Sequence, residues 1–335
     1  TVRSAFEIAR SGRPGPVVID IPKDVQNWEG PYRGSGRLFL PGYRRQLDAV
    51  TDNDLEDQDC ADFFEILEKS ERPLIYAGGG VVSADAAEEL REFSRTFRIP
   101  VVTTLMGLGA YDTTDDLSMG MLGMHGAAYA NYTVEDCDFL IAVASRFDDR
   151  VAGNPERFAP RARKVAHFDI DPSEIDKVKS VDWHHVGVLP EALNRLTRYG
   201  ANHGIRGSTN EWLDEIRELR KKYAFCYDEE SDLIQPQHVL RTINEVTDSE
   251  AIIATGVGQH QMWAAQYLDF KEPRRWLTSG SMGTMGFGLP AAIGAQFASP
   301  DRLVVDVDGD ASIRMNVGEL ETVTTYDLPV KVDGD

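Results

Sequence analysis

The sequence predicts an α/β protein made of successive doubly wound, parallel-sheet domains. Short apolar runs alternate with amphipathic stretches, and the runs lack the polar alternation of a half-exposed strand, so each needs cover on both faces. Glycine-rich turns follow several of these runs, as they do where ligands gather at the carboxyl ends of parallel strands. At 335 residues and 42% apolar content, the chain exceeds one ordinary core and suggests two or three domains.

Residues 1–10 read as an amphipathic helix with no start signal or cap, so the chain looks cut at its front. A turn at 11–15 leads to Pro16-Val-Val-Ile-Asp-Ile-Pro22, expected as a short buried strand. A helix and a strand cannot close a core, so 1–28 is expected to be the tail of an upstream domain. Residues 29–60, with several Pro and Gly and then an acidic run, have linker composition. A doubly wound domain is expected over 61–198: helix 62–69, strand 73–77, helix 84–97, and strands 99–104, 139–144 and 164–170. A polar, helix-rich connection, 199–233, precedes a second alternating unit, 234–335: helix 238–246, strand 251–255, helices from about 261 and over 289–297, strand 303–307, a helix from Val317 and a strand over 329–332.

Lys+Arg of 35 against Asp+Glu of 55 gives a net charge of −20, which opposes a phosphate backbone and makes nucleic acid an unexpected partner. The same field opposes an anionic cofactor unless a cation and local amides offset it. Cys60, Cys137 and Cys226 are odd in number and far apart, as reduced thiols of a cytosolic type of compartment would be. The seven histidines show no metal-ligand spacing, and no apolar run approaches membrane-spanning length, so a cytoplasmic protein with no membrane partner is expected.

The chemistry concentrates at Asp308-Gly309-Asp310-Ala311-Ser312, where an apolar run delivers carboxylates into a small-residue turn. Turn amides there favour phosphate, and a carboxylate among them needs a hard cation, so Asp310 reads as a Mg²⁺ ligand completed by phosphate oxygens. An EF-hand fails at Ala311 and Val317, whereas a solvated acidic turn is an equal reading of this motif alone. Thr255-Gly-Val-Gly-Gln259-His260-Gln261 and the glycine-dense 279–294 complete three strand-end loops able to converge on one phosphorylated ligand. In the earlier unit, Gly78-Gly79-Gly80 follows a strand, but Ser83 stands where a dinucleotide fingerprint needs its third glycine, and a tight turn without a ligand is an equal reading. Loops 104–109, 122–126 and 145–150 supply Met, His and paired arginines. Together they suit a long nucleotide cofactor lying across the sheet edge.

These motifs in order, with Gly283-Thr-Met-Gly-Phe-Gly-Leu-Pro, Met315-Asn-Val-x-Glu-Leu, Gly123-Met-His-Gly, Arg146-Phe-Asp-Asp-Arg-Val and Ser11-Gly-Arg-Pro-Gly-Pro, resemble the catalytic subunit of acetolactate synthase, a thiamine diphosphate enzyme family. The resemblance implies the tail of a pyrimidine-binding domain, a Rossmann-like FAD-binding middle domain and an incomplete diphosphate-binding domain. It implies Asp310 as metal ligand; Gln259, His260, Gly283, Gly309, Ala311 and Ser312 at the thiamine diphosphate; and Met285 as the wedge bending that cofactor. Arg13, Gly78, Gly79, Gly80, Thr104, Leu105, Met106, Met124, His125, Arg146, Asp148, Asp169 and Ile170 would contact FAD, a structural relic, and Arg150 would hold the carboxylate of the second 2-oxoacid. Val188 stands where the family often has an Asp near the flavin adenine.

The implied reaction is decarboxylation of pyruvate and carboligation to a second pyruvate or 2-oxobutyrate, in branched-chain amino acid biosynthesis. A homodimer or higher oligomer and a small regulatory subunit are implied partners. The family's activating glutamate would lie before Thr1 and its second metal ligand, an asparagine, after Val332, where Asp333-Gly334-Asp335 makes poor strand sequence. The chain as given is therefore expected not to turn over. Alternatives are a glyoxylate carboligase or pyruvate oxidase type, against which Arg146-Phe-Asp-Asp-Arg150 favours the synthase, and a noncatalytic nucleotide-binding relic. A nicotinamide oxidoreductase is disfavoured by Ser83 and the Mg²⁺-type aspartate.

Overall fold

Pro73–Ala77, five residues without an exposed side chain, form an inner strand, β1, of a six-stranded parallel sheet. This is a computed structural model of the chain, and it describes residues 1–31, 34, 40–207 and 209–334. The sheet continues with β2 (Val101–Thr103), β3 (Ser118–Met121), β4 (Phe139–Val143), β5 (Lys164–Asp169) and β6 (Trp183–Val186) in the order β3-β2-β1-β4-β5-β6. β1 lies between β2 and β4, with Leu74 opposite Leu140 and Ile75 opposite both Val101 and Ile141, so the strand order reverses there.

Both faces are covered. The helix Asp57–Glu68 begins with the Asp59 carboxylate accepting from the Glu56 amide at 2.9 Å and buries Phe63 and Phe64. Phe63 meets Phe93, Phe139, Phe168 and Trp183 at ring separations of 5.1 to 6.1 Å. The helices Ala87–Phe97 and Leu189–Asn202 turn Leu90, Phe93, Leu193 and Leu196 into the same core.

The structure departs from the sequence reading at several elements. β3 and β6 were not expected, because Ser118-Met-Gly-Met and Trp183-His-His-Val carry polar residues; both lie at sheet edges, where one side is free of a partner strand. The connection 199–233 is helical as expected at Asn210–Lys222, but that helix belongs to the first core: it buries Trp212, Leu213 and Ile216 there, and Trp212 Nε1 donates to Pro73 O at 3.2 Å. The expected linker 29–60 contains the helix Pro41–Thr51 and the buried Leu55 and Cys60; its residues 32, 33 and 35–39 lie outside those described. Residues 16–22 are not a buried strand: they pair with no strand among the described residues, and Val18 is 91% exposed. An apolar extended run becomes a strand only when neighbouring backbone takes up its hydrogen bonds.

The second sheet is also parallel, ordered β10-β9-β7-β8, from β7 (Ile252–Thr255), β8 (Trp276–Leu277), β9 (Val304–Asp308) and β10 (Lys331–Gly334). Val305 and Val307 pack with Leu240, Ala264 and Ala265, while Val304 packs with Ala254 and Ala292 of the helix Gly288–Ala298. β10 runs on past Val332, with Asp333 opposite Val307 and Gly334 opposite Asp308, against the expectation for Asp333-Gly334. Its ladder is made by backbone groups, and an edge strand tolerates residues a central one would not. The helical segment expected from Val317 is present, as a 3₁₀ turn at Val317–Glu319 running into the helix Leu320–Thr325, and a separate short helix, Asp310–Arg314, precedes it.

Polar contacts join the two sheets. Arg91 donates to Gly109 O at 3.0 Å and Lys271 O at 2.8 Å, and Thr113 and Phe270 bond reciprocally at 3.2 and 2.9 Å. No helix among the described residues is long and apolar enough to cross a membrane.

Candidate functional site

The second sheet brings three turns to one hydroxyl. β7 passes through Gly256 to the helix Gln259–Tyr267, β9 passes through Gly309 to the helix Asp310–Arg314, and residues 279–287 lead into the helix Gly288–Ala298. Ser312 Oγ accepts from the Gly286 amide at 3.0 Å and the Val257 amide at 3.4 Å, so one side chain just past the Gly309 turn holds the other two. Asn316 Nδ2 adds a bond to Gly286 O at 2.6 Å. A Cβ on Gly256 would lie 1.7 Å from Asp308 Oδ1 and 2.2 Å from Ser312 Oγ, so this turn closes only around glycine.

The sequence-predicted residues of this unit fall on those turns. Asp310 is exposed as the first residue of its helix, and the first-turn amides of Asp310, Ala311 and Ser312 have no intrahelical acceptor. Gln259 is exposed and His260 buried, with His260 Nε2 3.5 Å from Asp308 Oδ1. Gly309 packs so closely that a Cβ there would meet His260 Nδ1 at 2.7 Å. Met285 is half-buried between Gly283 and Gly286, both in the left-handed region at φ +62° and +79°.

A cavity of 510 Å³ opens at the carboxyl ends of β1, β2, β4 and β5, where the strand order reverses. Arg13, Gly78, Gly79, Gly80, Thr104, Leu105, Met106, Arg146, Asp148, Arg150, Asp169 and Ile170 line it, as does Val188. Met124 and His125 do not. The Met124 amide is taken by Arg150 O at 2.9 Å and His125 O accepts from Gln266 at 2.8 Å, which turns that loop toward the other sheet's helix. The glycines of the first turn serve the protein's own packing as well: Cβ atoms on Gly78 and Gly80 would meet Ala144 O at 2.2 Å and Ala144 Cβ at 2.6 Å.

The arginines differ in what already holds them. Arg13 pairs with Glu174 at 2.8 Å and Asp171 at 3.5 Å, fixing the N-terminal arm to the cavity rim, and Arg146 pairs with Asp148 at 3.5 Å. Arg150, exposed on the wall, has no ion pair among the described residues. At the end of β5, burial lowers the His167 pKa and raises that of Asp169, and His167 Nε2 donates to Ser145 O at 2.9 Å. The cavity also reaches Gly280 and Ser281 of the second sheet's loop, and a Cβ on Gly280 would lie 2.4 Å from Met106 Sδ.

Family models match both regions: the thiamine pyrophosphate enzyme central domain over residues 60–196, and the thiamine pyrophosphate enzyme C-terminal TPP binding domain over 256–332. The chain belongs to the thiamine pyrophosphate enzymes. Within that family it is 48% identical over 335 residues to the acetolactate synthase large subunit of Parasynechococcus marenigrum, covering 99% of this chain and 52% of that one. Identity is 46% over 344 residues to acetolactate synthase 2, chloroplastic, of Nicotiana tabacum, covering 99% and 49%, and 44% over 337 residues to the large subunit of Corynebacterium glutamicum, covering 98% and 52%. The chain spans about half the length of these curated relatives.

The turns of the second sheet fit a doubly phosphorylated ligand with a cation. Among the described residues no group of three or more His, Cys, Asp or Glu could hold a metal ion, so a cation at Asp310 needs further oxygens, of which phosphate would supply some. The glycine-floored turn and first-turn amides leave backbone donors for those phosphates. The cavity at the first sheet fits a large planar ligand in its volume and its glycine wall.

Two features escaped the sequence reading. Asp306 and Asp308 are wholly buried, and both Asp306 carboxyl oxygens lack a hydrogen-bond partner among the described residues. Burial, with the Asp308 carboxylate adding, pushes the Asp306 pKa up to about 7. Two acids inside Val-Val-Asp-Val-Asp were the available signal. Gln261 was quoted in its motif without a role, yet it is buried and hydrogen-bonded to Thr278.

Proposed function

We propose that this chain forms the middle and diphosphate-binding parts of an acetolactate synthase catalytic subunit, which joins pyruvate to a second 2-oxoacid, pyruvate or 2-oxobutyrate. The observation that carries the reading is the Ser312 hydroxyl, which gathers three strand-end turns beside Asp310. The acetolactate synthase relatives support it.

Asp310 would hold Mg²⁺ against a diphosphate, and the amides of Ala311 and Ser312, with Gln259, His260 and Gly309, would take the phosphate oxygens. Met285 would press on the bent cofactor from its glycine-flanked loop. Thiamine diphosphate, when bound, supplies the nucleophilic carbon and the electron sink that decarboxylation of a 2-oxoacid requires. Arg150 has a guanidinium available for the carboxylate of the acceptor 2-oxoacid, since no acidic partner among the described residues competes for it. FAD would lie in the cavity at β1 and β4 with its diphosphate near the glycine turn and Arg146, its role architectural. The assembly would be a homodimer or larger, with a small regulatory subunit.

Isothermal titration of the full-length protein with thiamine diphosphate, with and without Mg²⁺, tests this reading. Mg²⁺-dependent uptake, followed by formation of acetolactate from pyruvate, is the expected result. Uptake indifferent to Mg²⁺, or none at all, overturns it.

A further inference from the structure

The loop 279–287 is fastened at two ends. Its far end is the Gly286 amide on Ser312 and the Gly286 carbonyl on Asn316. Between the ends the chain is open: Ser281 and Gly283 both sit at φ +62°, Met282 is 88% exposed, and the Thr284 amide bonds back to Ser279 Oγ at 2.9 Å.

The near end is held by Gln261, from the helix Gln259–Tyr267. Its side-chain nitrogen is 3.2 Å from Ser279 O and 2.7 Å from Thr278 Oγ1. A carbonyl only accepts, so the amide must present its NH₂ group, which makes Thr278 Oγ1 the acceptor of the Gln261 bond. Gln261 donates to Thr278, and the Thr278 and Thr255 hydroxyls share a further hydrogen bond at 2.7 Å that either proton can make. All three side chains are buried, so water cannot replace a member that is removed. The helix and strands do not depend on this link, since Ala264 and Ala265 seat the helix in the core and backbone pairing joins β7 to β8. What the link sets is where the loop leaves β8.

We propose that Gln261 is a positioning residue: through Thr278 and the Ser279 carbonyl it sets the loop that carries Met285 against the thiamine diphosphate. This rests on the function proposed above. In the full-length protein with Mg²⁺, Gln261→Met should speed amide exchange of 280–286 by about tenfold, with exchange in β7 and β9 unchanged, and weaken thiamine diphosphate binding by about tenfold, the size expected from one lost buried hydrogen bond. Thr278→Val should behave alike, while Thr278→Ser, which keeps the hydroxyl, should restore both values; a merely structural loss would lower protection throughout the sheet. Unchanged exchange at 280–286, or looser exchange with unchanged affinity, overturns the inference. The Thr278 pair decides the matter alone should Gln261→Met fail to fold. If the wild-type protein takes up no thiamine diphosphate, the functional reading itself fails and the positioning role with it, whereas failure of the inference alone shows only in the variants.

Discussion

Two aspartates, one inside β9 and one just past its end, differ in what surrounds them. Asp310 is exposed, and a cation there is the means by which a strongly anionic protein could hold an anion. Asp310→Asn should abolish the difference between thiamine diphosphate titrations with and without Mg²⁺, lowering affinity in Mg²⁺ by at least about tenfold. Asp306 is buried, with its pKa raised to about 7 chiefly by burial. The folded chain therefore keeps a proton that the unfolded chain releases near the ordinary carboxylate value. Stability should fall as pH rises from about 4 to 7, by up to roughly 4 kcal/mol from this group, and stay reduced above that window. Denaturant unfolding at pH 5 and pH 8 checks it; Asp306→Asn should remove the group's share of the difference. The place of Asp310 at an exposed strand-end turn was legible because an apolar run delivers it into small residues. Asp306 was not, because a sequence does not say which face of a strand is closed.

At the level of elements, the inner strands were readable from continuous apolar runs, and the edge strands β3 and β6 were not, because pairing on one side lets polar residues in. Asn210–Lys222 was read as part of a connection since its surface is highly charged, but its apolar stripe of Trp212, Leu213 and Ile216 fills the first core. Trp212→Ala should cost about 3 to 5 kcal/mol in denaturant unfolding, where a surface connection would cost almost nothing. Met124 and His125 show the same limit for sites: their motif stands at a strand end, but the bond from Gln266 to His125 O ties the loop to the other sheet's helix, and neither residue lines the cavity.

Over the whole molecule, the two candidate sites touch, with Met106 of one cavity wall against Gly280 of the other sheet's loop. Because a ligand that binds only the folded state stabilises it, thiamine diphosphate with Mg²⁺ at a hundred times its dissociation constant should add about 2.7 kcal/mol to the stability of the full-length protein. A thermal melt that does not move would contradict occupancy of the second sheet. The N-terminal arm bears on handling in a different way. Val18, Ile21, Val25 and Trp28 are exposed in the 335-residue chain, and its net charge of −20 sets one copy repelling another. Added salt shortens the reach of that repulsion to a few ångströms and strengthens apolar contact, so this chain should be colloidally stable in dilute buffer and grow in sedimentation coefficient as ammonium sulfate is raised.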